Sequence, residues 1–204
     1  MLHNVITLGS DSMAYSVINK RAFDIACSLL LLVVLAVPIA LTALVVGLTS
    51  KGQPLYWSNR VGRNNMIFRM PKFRTMRMDT PAVATHLLSN PETYLTPVGK
   101  FLRVTSLDEL PQLWSILKGD MSLVGPRPAL FNQVDLIALR AAAGVHNLLP
   151  GLTGWAQING RDELPISDKV RLDSEYLRRQ SFLFDLQILG MTVGRVLLRR
   201  GVSH

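Results

Sequence analysis

Two adjacent carboxylates, Asp108 and Glu109, stand inside the stretch Thr105-Ser106-Leu107-Asp108-Glu109-Leu110-Pro111-Gln112. Neighbouring residues on a helix point to different faces, so such a pair suits two separate jobs. One carboxylate can attack an electrophile or bind a metal while its neighbour handles protons or steers charge. A local reading competes, because Ser106 with Glu109 has the spacing of a capping box that opens a helix. Pro111 counts against that register: five positions past Ser106, the helix needs an N–H that proline lacks. A helix that starts later leaves the dyad at a presented turn beside the positive helix end.

The cations that would serve an anionic substrate fall in two other segments. Arg60, Arg63, Arg69, Lys72, Arg74 and Arg77 form a basic cluster. Within it, Lys72-Phe73-Arg74-Thr75 sets two cations around an aromatic and beside a hydroxyl. In extended backbone Lys72 and Arg74 share a face, which lets both meet one phosphate. The remaining cations read as a solvated or lipid-facing surface. Further on, Gly125-Pro126-Arg127-Pro128 fixes one arginine in a stiff backbone. Rigid presentation of a guanidinium suits bidentate phosphate binding, and an exposed turn arginine is the structural alternative.

The formal charge of +8 and the pI near 10.1 call for an anionic partner. Nucleic acid is not expected, because no helix-turn-helix, RNP-type or zinc-finger pattern accompanies the charge. An anionic bilayer or a phosphorylated substrate fits the same sign. His3, His86, His146 and His204 are scattered without metal-ligand spacing, and the single cysteine, Cys27, excludes an intrachain disulfide. The sequence has no Walker loop, no G-x-G-x-x-G fingerprint and no G-x-S-x-G elbow.

These groups need elements to hold them. No charged residue occurs from Ile25 to Leu48. Roughly 24 helical residues span about 36 Å, enough for a bilayer. The stretch is too long for a signal-peptide core and too uniformly apolar for a soluble core helix. Lys20 and Arg21 precede it, and Lys51, Arg60 and Arg63 follow it. Basic residues mark the cytoplasmic side, and here they mark both flanks. Pro38, near the middle, removes an N–H and clashes with the preceding turn. The expectation is a bent, re-entrant helix with both ends cytoplasmic; a kinked single span is the alternative. The predicted organisation is a weakly structured or interfacial segment over 1–19, the membrane-inserted helix over 20–50 and a cytosolic, interfacial domain over 51–204.

After Lys51 the pattern shortens. Leu55–Val61 and Met66–Phe73 read as two strands around the turn Gly62-Arg63-Asn64-Asn65, with Pro71 either weakening the second or placing it on an edge. The region 80–97 reads as loops with a short helix near Ala82–Leu88. Helical spacing returns around Leu110, Leu113, Trp114 and Leu117 and stops at Gly119. Phe131–Ala143, Ser167–Arg179 and Leu183–Arg200 read as helices, and 150–155 as a loop. Arg195, Arg199 and Arg200 stud the last helix, which either lies on an anionic membrane face or packs on the core with a basic edge. The fold class is therefore α+β and mostly helical: a re-entrant membrane helix, a small β-hairpin and amphipathic interfacial helices around a cytoplasmic core.

Taken in order, these segments resemble the bacterial sugar transferase family, the monotopic phosphoglycosyl transferases. The resemblance runs from Lys20 to the C-terminus. It is carried by Lys20-Arg21-Ala22-Phe23-Asp24, Arg60-Val61-Gly62, Lys72-Phe73-Arg74-Thr75-Met76, the Thr105–Gln112 stretch and Leu117-Lys118-Gly119-Asp120-Met121-Ser122. Val124-Gly125-Pro126-Arg127-Pro128, Pro150-Gly151-Leu152-Thr153-Gly154-Trp155-Ala156-Gln157, Asn159-Gly160-Arg161 and the spacing of Asp173 and Tyr176 complete it. Two positions depart from the pattern: Pro71 stands where the family often has a bulky residue, and Val37 precedes Pro38 where some members have serine. The expectation is a compact, minimal member.

That resemblance implies transfer of a phosphosugar from a UDP-sugar to a polyprenyl (undecaprenyl) phosphate with release of UMP, the first membrane step of bacterial polysaccharide or glycoprotein assembly. It implies Mg²⁺, with Asp108 as a ligand, and a covalent phosphosugar on Asp108, with Glu109 as its partner. Lys72, Arg74, Arg127, Gln157 and Asp173 become phosphate- or substrate-binding positions. The implied place is the cytoplasmic membrane of a bacterium, with the catalytic domain on the cytoplasmic side among membrane lipids. The sugar is not readable, and a homodimer is one outcome for the open oligomeric state. The alternative from another class is a non-enzymatic membrane scaffold that docks glycan-assembly enzymes.

Overall fold

The computed structural model describes residues 10–81, 90–160 and 164–197. The predicted helix near Ala82–Leu88, residues 1–9, Arg161, Arg199, Arg200 and three of the four histidines (His3, His86, His204) lie outside them. Helix α1 (Ser10–Val34) and helix α2 (Ala36–Thr49) carry the apolar block. They are bent by 64° at Leu35. The break falls where proline chemistry puts it: Pro38 cannot bond back to Val34, and its ring crowds that carbonyl, so α1 ends there. Leu35 and Ile39 still bond back normally, to Leu31 and Leu35. No single helix among the described residues is long and apolar enough to cross a membrane, whereas the bent pair together has the length and composition. α1 also begins at Ser10, so helix runs through much of the segment expected to be weakly structured.

One side of the bent pair rests on the globular part and the other is open. Leu30, Val33, Val34, Val37, Leu41, Leu44 and Leu48 are all more than half exposed. A continuous apolar surface of this kind marks an interaction face.

Strands β1 (Leu55–Val61) and β2 (Ile67–Phe73) pair antiparallel as the expected hairpin. Asn64 and Asn65 take positive φ at its turn (55° and 59°), a conformation asparagine tolerates better than most residues. Strand β4 (Ala129–Leu130), absent from the sequence reading, pairs with the far side of β1. The order β2-β1-β4 leaves β2 at the edge, where the missing N–H of Pro71 costs no ladder bond. A second, two-stranded parallel sheet joins β3 (Ser122–Val124) to β5 (Gly151–Thr153). The sequence reading had β5 as loop. Short glycine- and proline-flanked strands carry too little alternation to be seen.

Between the sheets lie helix α3 (Gly99–Thr105), also unforeseen, and α4 (Gln112–Lys118). α5 (Val134–Ala142), α6 (Trp155–Ile158), α7 (Ile166–Arg179) and α8 (Phe182–Leu197) follow. The main core gathers Met70 from β2, Leu113 and Ile116 from α4, Leu123 and Val124 from β3, Tyr176 from α7 and Ile188 from α8. Phe23, Cys27 and Leu31 of α1 pack against it. A smaller cluster of Val46, Phe73 and Leu102 ties α2 to β2 and α3.

Polar bonds fasten the base of α1 to the same body. α4 ends at Gly119, in left-handed backbone (φ 100°), and Arg21 donates to the last carbonyls, of Ile116 and Leu117. Asp24, 1% exposed, accepts the N–H of Leu123. Lys20 pairs with Asp185, which also accepts the Tyr176 hydroxyl.

Candidate active site

The dyad sits where two short helices meet. α3 closes at Ser106 with φ 57°, and its N–H bonds back to Arg103 and Leu102. A single 3₁₀ turn, Leu107–Glu109, follows before Pro111 opens α4. Ser106 makes no side-chain cap, so the capping-box reading is overturned and the presented-turn reading holds. A non-glycine residue in left-handed backbone costs about 1 kcal/mol or more. Here the packing of Leu107 against the cluster of Val46, Phe73 and Leu102 holds it.

The two carboxylates have different surroundings. Glu109 accepts Lys72 Nζ at 2.7 Å and lies 3.4 Å from Arg127 Nη1. Asp108 is 6% exposed, and Lys72 is 4.0 Å from its Oδ2. Burial would raise the Glu109 carboxyl, but the charges and hydrogen bonds of Lys72 and Arg127 override it and hold the group well below the usual range. Burial wins at Asp108: against the pull of Lys72, and with Glu109 adding repulsion, its pKa rises to about 6. Near neutral pH Asp108 is thus a carboxylate with weak local compensation, and Glu109 is a firmly ionised anchor for two cations.

A third cation had no sequence signal as a site residue. Arg103, on α3, lowers the pKa of Asp108 through its charge, and its Nε donates to Thr75 Oγ1 at 3.1 Å. Thr75 is itself buried, and its carbonyl accepts the N–H of Thr96. Pro97 just ahead of Gly99 was the available clue to a helix start there. The site therefore joins Lys72, Arg103 and Arg127 around Asp108 and Glu109, a net positive cluster whose charge suits a diphosphate.

The segment carrying Arg127 is stiff for more reasons than its prolines. Gly125 donates to Thr153, Gly151 donates to Pro126, and Arg60 donates to Pro128. Arg140 Nη1 donates to the carbonyl of Arg127 itself at 2.7 Å. A Cβ at Gly125 would lie 2.3 Å from the Leu149 carbonyl, so only glycine fits this approach.

Three other expected positions lie elsewhere. Arg74 donates to the Gln53 carbonyl at 2.9 Å and stacks over Tyr56. Its N–H still bonds to Pro54 in the β1–β2 register, so what separates it from Lys72 is the turn of its guanidinium towards Gln53 and Tyr56 and not towards the dyad. Gln157 donates to Leu152 and braces β5 from α6. Asp173, expected to meet substrate, is 1% exposed and ion-paired with Arg140 at 2.6 Å. Among the described residues no hydrogen bond or ion pair joins Arg74, Gln157 or Asp173 to the dyad.

Mg²⁺ binds oxygen through one or two carboxylates plus substrate phosphates and water. Among the described residues no cluster of three or more acidic, histidine or cysteine ligands exists. Asp108 accepts no described hydrogen bond, so its oxygens suit one such ligand, and a phosphate-bearing substrate would have to supply others.

A sequence model of the bacterial sugar transferase family matches residues 15–199. An uncharacterized sugar transferase of Bacillus subtilis, EpsL, is 42% identical over 188 residues, covering 92% of this chain and 91% of that protein. The undecaprenyl-phosphate glucose phosphotransferase of Komagataeibacter xylinus is 40% identical over 197 residues, covering 91% of this chain but 37% of that protein. The undecaprenyl-phosphate galactose phosphotransferase of Salmonella typhimurium is 37% identical over 200 residues, covering 89% of this chain and 41% of that protein. The chain thus spans less than half the length of these two phosphotransferases.

Proposed function

The chain belongs to the bacterial sugar transferase family, and from that premise we propose that it moves a sugar phosphate from a UDP-sugar to undecaprenyl phosphate in two displacements at Asp108. In the first, a carboxylate oxygen of Asp108 attacks the phosphorus that bears the sugar, the P–O bond to the other phosphate breaks, and UMP leaves with the electron pair. In the second, a phosphate oxygen of the lipid attacks the same phosphorus, the bond to Asp108 breaks, and the carboxylate is regenerated as the lipid diphosphate-sugar departs. Each step needs cations to neutralise the phosphates and hold the attack in line.

The observation that carries this reading is the unequal dyad. Glu109 is bound by Lys72 and Arg127, while Asp108 is buried, weakly compensated and lifted to about 6. A carboxylate with that pKa is ionised at neutral pH and a better nucleophile than an ordinary aspartate. Lys72, Arg103 and Arg127 meet the phosphates, and Glu109 keeps Lys72 and Arg127 in place before substrate arrives. Mg²⁺, held by Asp108 and the substrate's phosphates, would supply further charge neutralisation.

The bent helix pair supports action on a lipid. Its exposed leucines and valines enter one leaflet of the cytoplasmic membrane and return, with both basic flanks and the catalytic domain on the cytoplasmic side. The product is the first lipid-linked intermediate of a glycan.

The test is incubation of the purified chain with UDP-sugars and Mg²⁺, without lipid. One UMP per enzyme should appear, with a phosphosugar mass that peptide mapping places on Asp108. UMP formed only when polyprenyl phosphate is added, with no adduct trapped, would show direct transfer and leave Asp108 with metal binding as its only role.

A further inference from the structure

Joined to the backbone carbonyl of Arg127 is a buried ion pair that the chemistry above does not use. Arg140 on α5 is 9% exposed, and Asp173 on α7 is 1% exposed. Nε and Nη2 of Arg140 both donate to Asp173 Oδ2, at 2.9 and 2.6 Å. The third arm, Nη1, reaches the carbonyl of Arg127.

Stability is a weak reason for such an arrangement. A buried ion pair generally does no better than apolar side chains of similar volume, because desolvation offsets the attraction. Geometry supplies a stronger one. Pro126 and Pro128 carry no N–H, so the backbone around Arg127 cannot join a continuous ladder. It is held through its carbonyls, by Gly151 at Pro126, by Arg140 at Arg127 and by Arg60 at Pro128. The central tie is received by Arg127, the residue whose side chain faces Glu109. Asp173 orients the guanidinium that makes it, and one planar fork spans both partners, a task the point charge of lysine cannot reproduce.

We propose that Arg140 and Asp173 are positioning residues, which fix the backbone of Arg127 and so set where its guanidinium meets the substrate's phosphate. This rests on the phosphosugar-transfer reading of the site. Asp173 accordingly acts through Arg140 and Arg127, without touching substrate.

The experiment is a double-mutant cycle in the full chain, scoring kcat per folded molecule for phosphosugar transfer, with Tm recorded. Asp173→Asn and Arg127→Met should each lower kcat, Asp173→Asn by up to about 100-fold, the loss expected from displacing a reacting group by about 1 Å. In the Arg127→Met background, Asp173→Asn should cost no more than about a further threefold, because the group it positions is already gone. Effects that multiply would overturn the proposal, since Asp173 would then act independently of Arg127. Arg140→Lys keeps the buried charge and guards against a misfolded Asp173→Asn; normal kcat in folded Arg140→Lys would also overturn it. Hydrogen exchange over residues 125–130 gives a readout that needs no substrate. Exchange there should quicken in Asp173→Asn with other regions unchanged, and unaltered exchange counts against the proposal. If the wild type transfers no phosphosugar, the function fails, and the exchange experiment still decides whether the pair holds the loop.

Discussion

Replacing Asp108 by asparagine should yield an inactive protein that is more stable than the wild type. The side chain is 6% exposed, and folding lifts its pKa from 3.8 to about 6. A shift of that size corresponds to roughly 3 kcal/mol that the folded state loses when Asp108 ionises. Asparagine fills nearly the same volume without the charge, so it should recover about 1–3 kcal/mol at pH 8. For a chain of this length that is worth about 2–4 °C per kcal/mol, hence a rise of several degrees in Tm. The sign follows from the direction of the shift. A raised carboxyl favours the folded state below its unfolded value, and that advantage disappears as pH climbs through about 6. The Tm gap between variant and wild type should therefore be small near pH 4, widen through pH 6 and level off above pH 7. Differential scanning fluorimetry in detergent with EDTA reads it, and the variant-minus-wild-type comparison removes the other buried carboxyls. Millimolar Mg²⁺ should then raise the wild-type Tm more than that of the variant if Asp108 binds the metal. A gap that is absent, reversed or independent of pH would show that the surrounding cations fully compensate the charge, and the account of Asp108 as a strained nucleophile would fall.

Other outcomes follow from the same geometry. Arg103→Met should cut turnover at least about tenfold, with Tm close to wild type, because its role lies in the charge it places near Asp108; normal turnover would confine Arg103 to bracing Thr75. Arg127→Lys should be nearly as damaging as Arg127→Met, because a point charge cannot bridge Glu109 and a phosphate as a fork does; near-normal kcat/KM would show that charge alone suffices. Cysteines placed at Asn19 and Ser50 should both label from the cytoplasmic side, and a periplasmic label at either would establish a single span.

Where the sequence carried strong periodic or stereochemical signals, its reading matched the structure. The β1–β2 hairpin, the edge position that Pro71 offered as one alternative and the stop of α4 at Gly119 all rest on backbone rules that tertiary context rarely overrides. Pro38 foretold a bend, and the bend sits one turn upstream, where the proline ring crowds the helix. The short pieces were illegible. β4 has two residues and β5 has three, too few for any period to show, and α3 follows directly on the proline-broken stretch 80–97 that read as loop. That loss carried Arg103 with it, since a cation on an unrecognised helix looks like any surface arginine. Asp173 shows a different limit: the family resemblance marked it as significant, but only the packing of α5 on α7 reveals that its carboxylate faces Arg140.

The bonds at the foot of α1 bear on how this protein can be handled. Deleting the apolar helix at residue 25 or later is a natural route to a soluble fragment, yet Phe23, Cys27 and Leu31 pack against the main core, so any such cut uncovers part of it. A cut before Lys20 would spare the bonds of Arg21 and Asp24 but leave the open leucine face intact. The boundary between the bent helix pair and the globular body is therefore not a place where the chain divides. Because the ties of Asp24 and Arg21 run from α1 into β3 and α4, just ahead of Arg127, the fold itself sets how far the dyad stands from the open leucine face, like a fixed stop on a depth gauge.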